Sequence, residues 1–230
     1  MAEQNYHTVD GIAGQGIHAN QLLHTAGTPL PEARAALILL HGRGASAADI
    51  LTLGEELGAV QAGIALLTPQ AHGGVWYPVS FLAPLTVNEP WLSDALVTVG
   101  KVYTYATNAG IPGVQIALLG FSQGACLALE YAARNASSKR FGAVVGLSGG
   151  LIGPDETPRD YPGSLAGTQV FLGCSVPDFH IPEARVRQSA EVFEQMGASV
   201  TMRHYPNMGH TVNADELALT RVVLARVADA

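Results

Sequence analysis

Short runs of contiguous apolar residues recur along the chain, separated by longer stretches whose apolar positions repeat with helical spacing. The runs are AALILL (35–40), GIALLTP (63–69), VQIALLG (114–120), GAVVGLS (142–148), TQVFLGC (168–174) and SVTMRHY (199–205). Each is rich in Val, Ile or Leu and bounded by Gly, Pro or polar residues, which predicts a strand buried on both faces. NQLLHTAG (20–27) reads as an antiparallel edge strand ahead of this series. Helices are predicted over 46–61, where Ser46 caps and Asp49 follows three positions on, and over 91–108 after Pro90. Further helices are predicted over 122–135, over 183–196 between Pro182 and Gly197, and over 213–228 with Asn213 or Thr211 near its start.

Alternating buried strands and helices predict a mostly parallel central sheet with helices on both faces, an α/β architecture. In such sheets ligands bind beyond the carboxyl ends of the strands, so the loops that follow strands are where chemistry is expected. The longest irregular stretch, PQAHGGVWYPVSFLAPLTVNEP (69–90), is such a loop, and its length favours a functional role. No repeat or low-complexity linker divides the 230 residues, so 1–230 reads as one domain with an excursion over 69–90.

Composition narrows the classes. The chain is 48% hydrophobic and 13% charged, which fits a packed globular protein. A net charge of −7 disfavours nucleic acid and anionic membrane surfaces as partners. The apolar runs are too short to span a bilayer, and the first residues show no basic and apolar leader pattern, so the chain reads as cytoplasmic. Cys126 and Cys174 have neither metal-type nor CxxC spacing and read as buried, reduced thiols. The sequence is compatible with a homodimer without requiring one.

Two pentapeptides match Gly-x-Ser-x-Gly: Gly120-Phe-Ser122-Gln-Gly124 and Gly146-Leu-Ser148-Gly-Gly150. A serine nucleophile on a strand-to-helix elbow needs a helix that starts at once behind it, and small residues at −2 and +2. Ser122 has the strand and an apolar-periodic helix. Ser148 has the strand, but Gly149, Gly150, Gly153 and Pro154 follow and prevent a prompt helix, so it reads as a turn.

A serine hydroxyl needs a base and a group that orients the base. Of the histidines after Ser122, His204 falls inside a predicted strand. His210 lies between the last strand and the last helix, where a base belongs. His180 reads as a surface or supporting histidine. Asp178 follows a strand directly and is the expected acid. Asp155 and Asp160 lie in a proline-rich loop, and Asp215 suits the start of the last helix. Ser122, Asp178 and His210 thus fall in the order serine, acid, base. The backbone N–H groups of Gln123, next to the serine, and of Arg43, in the His41-Gly42-Arg43-Gly44 loop, are the expected oxyanion donors. The substrate pocket is expected to use His41, Trp76, Tyr77, Phe81, Leu82 and Met208, and the Arg43 side chain reads as solvated.

LILLHGRGAS, GFSQGACLAL, LSGGL, the aspartate of VPDFHIP and MGHTV…DEL together resemble the phospholipase/carboxylesterase family of α/β-hydrolases, from about residue 35 to the C-terminus. The resemblance implies the α/β-hydrolase fold, the triad Ser122, Asp178 and His210, and oxyanion donors Arg43 and Gln123. Arg43, and the missing aspartate after Trp76-Tyr77, place the sequence nearer the bacterial branch with an HGRG loop than the acyl-protein thioesterases. The expected activity is hydrolysis of small-molecule carboxylic esters, of short to medium acyl length, through an acyl-enzyme and with no metal or organic cofactor. Lysophospholipase or acyl thioesterase action on the same site is the nearest alternative. A dienelactone-type hydrolase would favour cysteine at the elbow, and a non-catalytic binding protein would be expected to lack a triad member.

Overall fold

A computed structural model describes residues 7–9, 14–59 and 61–230. In chain order the elements are β1 (His7–Val9), β2 (Leu23–Gly27), β3 (Ala35–Leu40), α1 (Ala47–Glu56), β4 (Ile64–Pro69) and α2 (Trp91–Asn108). Then come β5 (Ile116–Phe121), α3 (Gln123–Asn135), β6 (Ala143–Leu147), β7 (Gln169–Val176), α4 (Glu183–Gln195), β8 (Ser199–Pro206) and α5 (Ala214–Ala228). The strands form one sheet in the order β1-β2-β4-β3-β5-β6-β7-β8. β1 pairs antiparallel with β2 and β2 with β4, while every pairing from β4 through β8 is parallel.

Alternate residues of each central strand feed opposite cores. Ala36, Ile38 and Leu40 pack with α2, α3 and α4 on one face, whereas Ala35, Leu37 and Leu39 pack with α1 and α5 on the other. This two-sided burial is why β3 reads as an unbroken apolar run. Each fully buried Leu or Ile contributes about 1.5–3 kcal/mol relative to exposure. α3 is enclosed from Gln123 to Ala133. It is therefore the axle of its layer.

The differences from expectation are mostly local; β8, expected to be buried on both faces, instead alternates exposed and half-buried residues because it is an edge strand. The strand expected over 114–120 starts at Ile116, because Gly113–Gln115 form a short helical turn. The helix expected over 46–61 ends at Glu56, where Gly58 turns the chain with φ +75; Val60 lies outside the described residues. β2 is antiparallel as expected but is not the edge, since β1 pairs outside it. Asn213, not Thr211, caps α5.

The connections place the site. From β3 the chain moves outward to β4 and then returns to β5 on β3's other side. The carboxyl ends of β3 and β5 thus flank a topological switch point, the usual ligand crevice of an open α/β sheet. The loop after β3 is His41–Gly44, and the residue after β5 is Ser122.

Candidate active site

Ser122 joins β5 directly to α3 with φ 54 and ψ −117, a left-handed conformation that side chains rarely adopt. Its neighbours explain the flanking glycines. A Cβ on Gly120 would lie 2.1 Å from the Gly124 carbonyl oxygen, and one on Gly124 would lie 2.0 Å from that of Leu40. Only a chain without side chains at both positions can make the elbow and press α3 against β3. Gly42 is less crowded but adjacent, for a Cβ there would sit in van der Waals contact, 3.5 Å from Ser122 Cβ. The His41–Gly44 loop therefore lies against the serine.

His210 Nε2 is 2.9 Å from Ser122 Oγ, and His210 Nδ1 is 2.8 Å from Asp178 Oδ2. With the carboxylate accepting from Nδ1–H, Nε2 is free to accept the serine proton. The other carboxylate oxygen accepts the backbone N–H groups of His180 (2.8 Å) and Ile181 (3.1 Å). Burial opposes ionisation of Asp178, but the His210 ring and these two N–H donors outweigh it and hold the carboxyl below its ordinary value. The loops carrying acid and base are joined: Gly209 N–H donates to Ser175 Oγ (3.0 Å), and Asn207 N–H donates to the Val176 carbonyl (3.0 Å).

Of the described residues, none accepts a hydrogen bond from the backbone N–H of Arg43 or Gln123. The adjacent Gly44 N–H is engaged, donating to the Gly74 carbonyl at 2.8 Å. The Gln123 side chain is buried and joins the elbow to the 69–90 segment: Oε1 accepts Trp76 N–H (2.9 Å) and Nε2–H donates to the Tyr77 carbonyl (2.8 Å). Arg43 is not a free, solvated side chain. Its guanidinium donates to the carbonyls of Tyr77 (2.8 Å), Pro78 (2.9 Å) and Val79 (2.8 Å). Asn88 holds the same stretch from behind, accepting Val79 N–H and donating to the Ser80 carbonyl. The 69–90 excursion is thus a wall fastened to the scaffold.

A cavity of about 420 Å³ opens over Ser122 and His210, within the size range of small-ligand sites. Tyr77 and Phe81 line it as expected, together with Arg43, Cys126, Ile181 and His180. His41, Trp76, Leu82 and Met208 do not reach it. His41 and Trp76 are fully buried, with the indole N–H donating to the His41 carbonyl. Leu82 packs against the larger core, and Met208 faces the Asn213 amide.

His180, expected to be peripheral, stands edge-on to the His210 ring at 4.8 Å between centroids. Its place two residues after Asp178 was the only signal. The rival residues lie elsewhere. Ser148 repeats the left-handed backbone (φ 52) but is fully buried and is followed by no helix. His204 Nδ1 lies 3.5 Å from Glu183, Asp155 pairs with Arg185, and Asp215 accepts the Tyr205 hydroxyl. Burial pushes the Cys126 thiol up to about 12, so it stays protonated. Among the described residues no helix is long and apolar enough to cross a membrane.

The sequence profile of the phospholipase/carboxylesterase family matches residues 27–226. No curated protein gives a significant sequence match. Among solved structures, a phospholipase/carboxylesterase from Dyadobacter fermentans is 40% identical, with TM-score 0.85, over 92% of this chain and 99% of its own. A carboxylesterase from Mesorhizobium loti is 19% identical, with TM-score 0.69, over 96% of this chain and 99% of its own. SOBER1 from Arabidopsis thaliana is 17% identical, with TM-score 0.70, over 84% of this chain and 98% of its own. The last two show likeness of fold.

Proposed function

The chain belongs to the phospholipase/carboxylesterase family of α/β-hydrolases, and from that premise we propose that it is a serine carboxylesterase with Ser122 as nucleophile, His210 as base and Asp178 as the acid that orients the base. The observation that carries this reading is the unbroken chain from Ser122 Oγ to His210 Nε2 (2.9 Å) and from His210 Nδ1 to Asp178 Oδ2 (2.8 Å).

The hydroxyl gives its proton to His210 Nε2 as Oγ attacks the ester carbonyl. The carbonyl oxygen becomes an oxyanion held by the backbone N–H groups of Arg43 and Gln123, each such donor being worth about 2.7–4 kcal/mol in the transition state. Asp178 stabilises the imidazolium and keeps its Nε2 turned to the reacting atoms. His210 then protonates the departing alkoxide, leaving an acyl-serine. Water repeats the sequence in reverse, losing its proton to His210 and releasing the acid. The small, partly apolar cavity suits short to medium acyl groups. A protonated Cys126 inside α3 weighs against a cysteine mechanism.

p-Nitrophenyl acetate and butyrate test the assignment. Wild type is expected to give a p-nitrophenol burst, Ser122→Ala to lose hydrolysis by several orders of magnitude, and Ser148→Ala to retain it. Undiminished hydrolysis in Ser122→Ala would overturn the reading.

A further inference from the structure

Two histidines outside the triad are buried and carry specified hydrogen bonds at both ring nitrogens. His18 Nε2 lies 3.0 Å from the Trp76 carbonyl, and its Nδ1 accepts His72 N–H at 3.1 Å. His41 has the reverse arrangement: Nδ1 lies 2.8 Å from the Gly42 carbonyl, and Nε2 accepts Ala71 N–H at 3.1 Å. Each carbonyl requires a ring N–H and each backbone N–H requires a ring lone pair, so both rings are neutral and of opposite tautomer. The two backbone N–H groups they hold belong to consecutive residues, Ala71 and His72.

These two residues begin the turn that leads into the cavity wall. Gly74 N–H returns to the Ala71 carbonyl, and the Gly74 carbonyl accepts Gly44 N–H, beside Arg43. Trp76 lies between the two rings, 5.5 Å from His18 and 5.0 Å from His41 between centroids, and its N–H reaches Gln123 Oε1. The carbonyls of Tyr77, Pro78 and Val79 then hold the Arg43 guanidinium. A movement at Ala71–His72 would therefore reach both residues whose N–H groups face the oxyanion.

We propose that His18 and His41 are positioning residues for the hydrolysis: as neutral rings they clamp the start of the 71–79 segment and thereby fix the Arg43 and Gln123 N–H groups. This rests on the serine-esterase reading above. His18 reaches the site from the segment before β2, far from the triad in sequence. Protonating either ring would turn its acceptor nitrogen into a second donor, opposed to a backbone N–H, and would bury a charge. Burial lowers the pKa of both rings. Facing His18 are Asp94, whose carboxylate accepts the His18 backbone N–H and favours the cation, and His72, which disfavours it. Facing His41 are Asp49, which favours the cation, and His18, which disfavours it, with the neutral Gln70 amide alongside. Because burial holds both rings below the ordinary histidine value of 6.5, the clamp is still closed at pH 6.5 and releases only at lower pH, as the rings protonate.

The test compares His18→Leu and His41→Leu with His18→Asn and His41→Gln, in which a side-chain oxygen can replace the lost lone pair. On p-nitrophenyl acetate at pH 8, the leucine variants are expected to lose about 10–100-fold in kcat with KM nearly unchanged, because the oxyanion donors act in the transition state. The Asn and Gln variants are expected to recover most of that loss. A second measurement needs no turnover. The chain's two tryptophans, Trp76 and Trp91, both lie within 5.6 Å of the His18 ring between centroids. In a Ser122→Ala background, their emission is expected to change in a step below pH 6.5 while far-UV circular dichroism holds steady. In the same background, His18→Asn is expected to shrink that step. Wild-type kcat in both leucine variants overturns the proposal, as does failure of Asn and Gln to rescue. Emission that stays flat until the far-UV signal itself collapses overturns it too, and this criterion stands should the leucine variants not fold. Because the emission experiment needs no active serine, failure of the clamp and failure of the Ser122 assignment give different results.

Discussion

Asp178 divides its carboxylate between two duties. One oxygen faces His210 Nδ1, and the other accepts two backbone N–H groups of its own loop. Asp178→Asn can keep the loop contacts while presenting an amide to the ring, which disfavours the tautomer that leaves Nε2 free. Its kcat is expected to fall on the order of 10⁴-fold with a near-wild-type thermal midpoint. A loss within tenfold would mean that the acid's charge and geometry matter little. At this scale the hydrogen-bonded set Ser122, His210 and Asp178 was legible, because each of the three follows a strand. The pentapeptide was not enough to choose the serine, as Ser122 and Ser148 share nearly the same φ of 54 and 52. What separates them is the helix that can start behind Ser122. The Arg43 tether was illegible for another reason: its partners are backbone carbonyls, and any sequence supplies those.

α5 begins with a capping box that also stores a buried acid. Asn213 accepts Glu216 N–H, and Glu216 Oε2 accepts Asn213 N–H. Among the described residues Glu216 Oε1 has no partner, and it lies so close to β7 that a Cβ on Gly173 would come within 2.2 Å of it. Burial raises this carboxyl from 4.5 to about 7, against the Asn213 N–H bond and with help from the charge of Asp215. The sign follows from linkage. Below pH 4.5 both folded and unfolded chains hold the proton; between 4.5 and 7 the unfolded chain releases it first, so stability falls as pH rises. Glu216→Gln is expected to gain on wild type across that window and to keep a gain on the order of 1–3 kcal/mol above it. Urea melts at pH 5 and pH 8 decide the point, and a larger gain at pH 5 would refute it. The cap residue and its partner three positions on could be read from sequence, as could the strands buried on both faces. The orphaned oxygen could not, since it depends on β7 passing behind α5.

Across the whole molecule, stability and function occupy different places. The two apolar cores lie on the faces of the sheet, packed against five helices. The site lies beyond its carboxyl edge and is assembled from the loops after β3, β4, β5, β7 and β8, with His18 reaching in from the segment before β2. The sheet was legible in the sequence because burial on both faces makes each central strand an unbroken apolar run. Sequence reading recovered only part of the pocket, because which loop side chains face the cavity is set by how separate loops lean on one another. His41 and Trp76 looked like pocket residues and are instead the struts behind its wall. This division predicts the order of failure. The loops are held by scattered hydrogen bonds such as Gly209 N–H to Ser175 Oγ and Gly44 N–H to the Gly74 carbonyl, whereas the central strands are held by continuous ladders and buried side chains. Local opening of such loops costs less than global unfolding. In a urea series, esterase activity is therefore expected to vanish at a lower concentration than the far-UV signal and to return on dilution. Activity and far-UV signal that disappear together would mean that loops and sheet unfold as one unit.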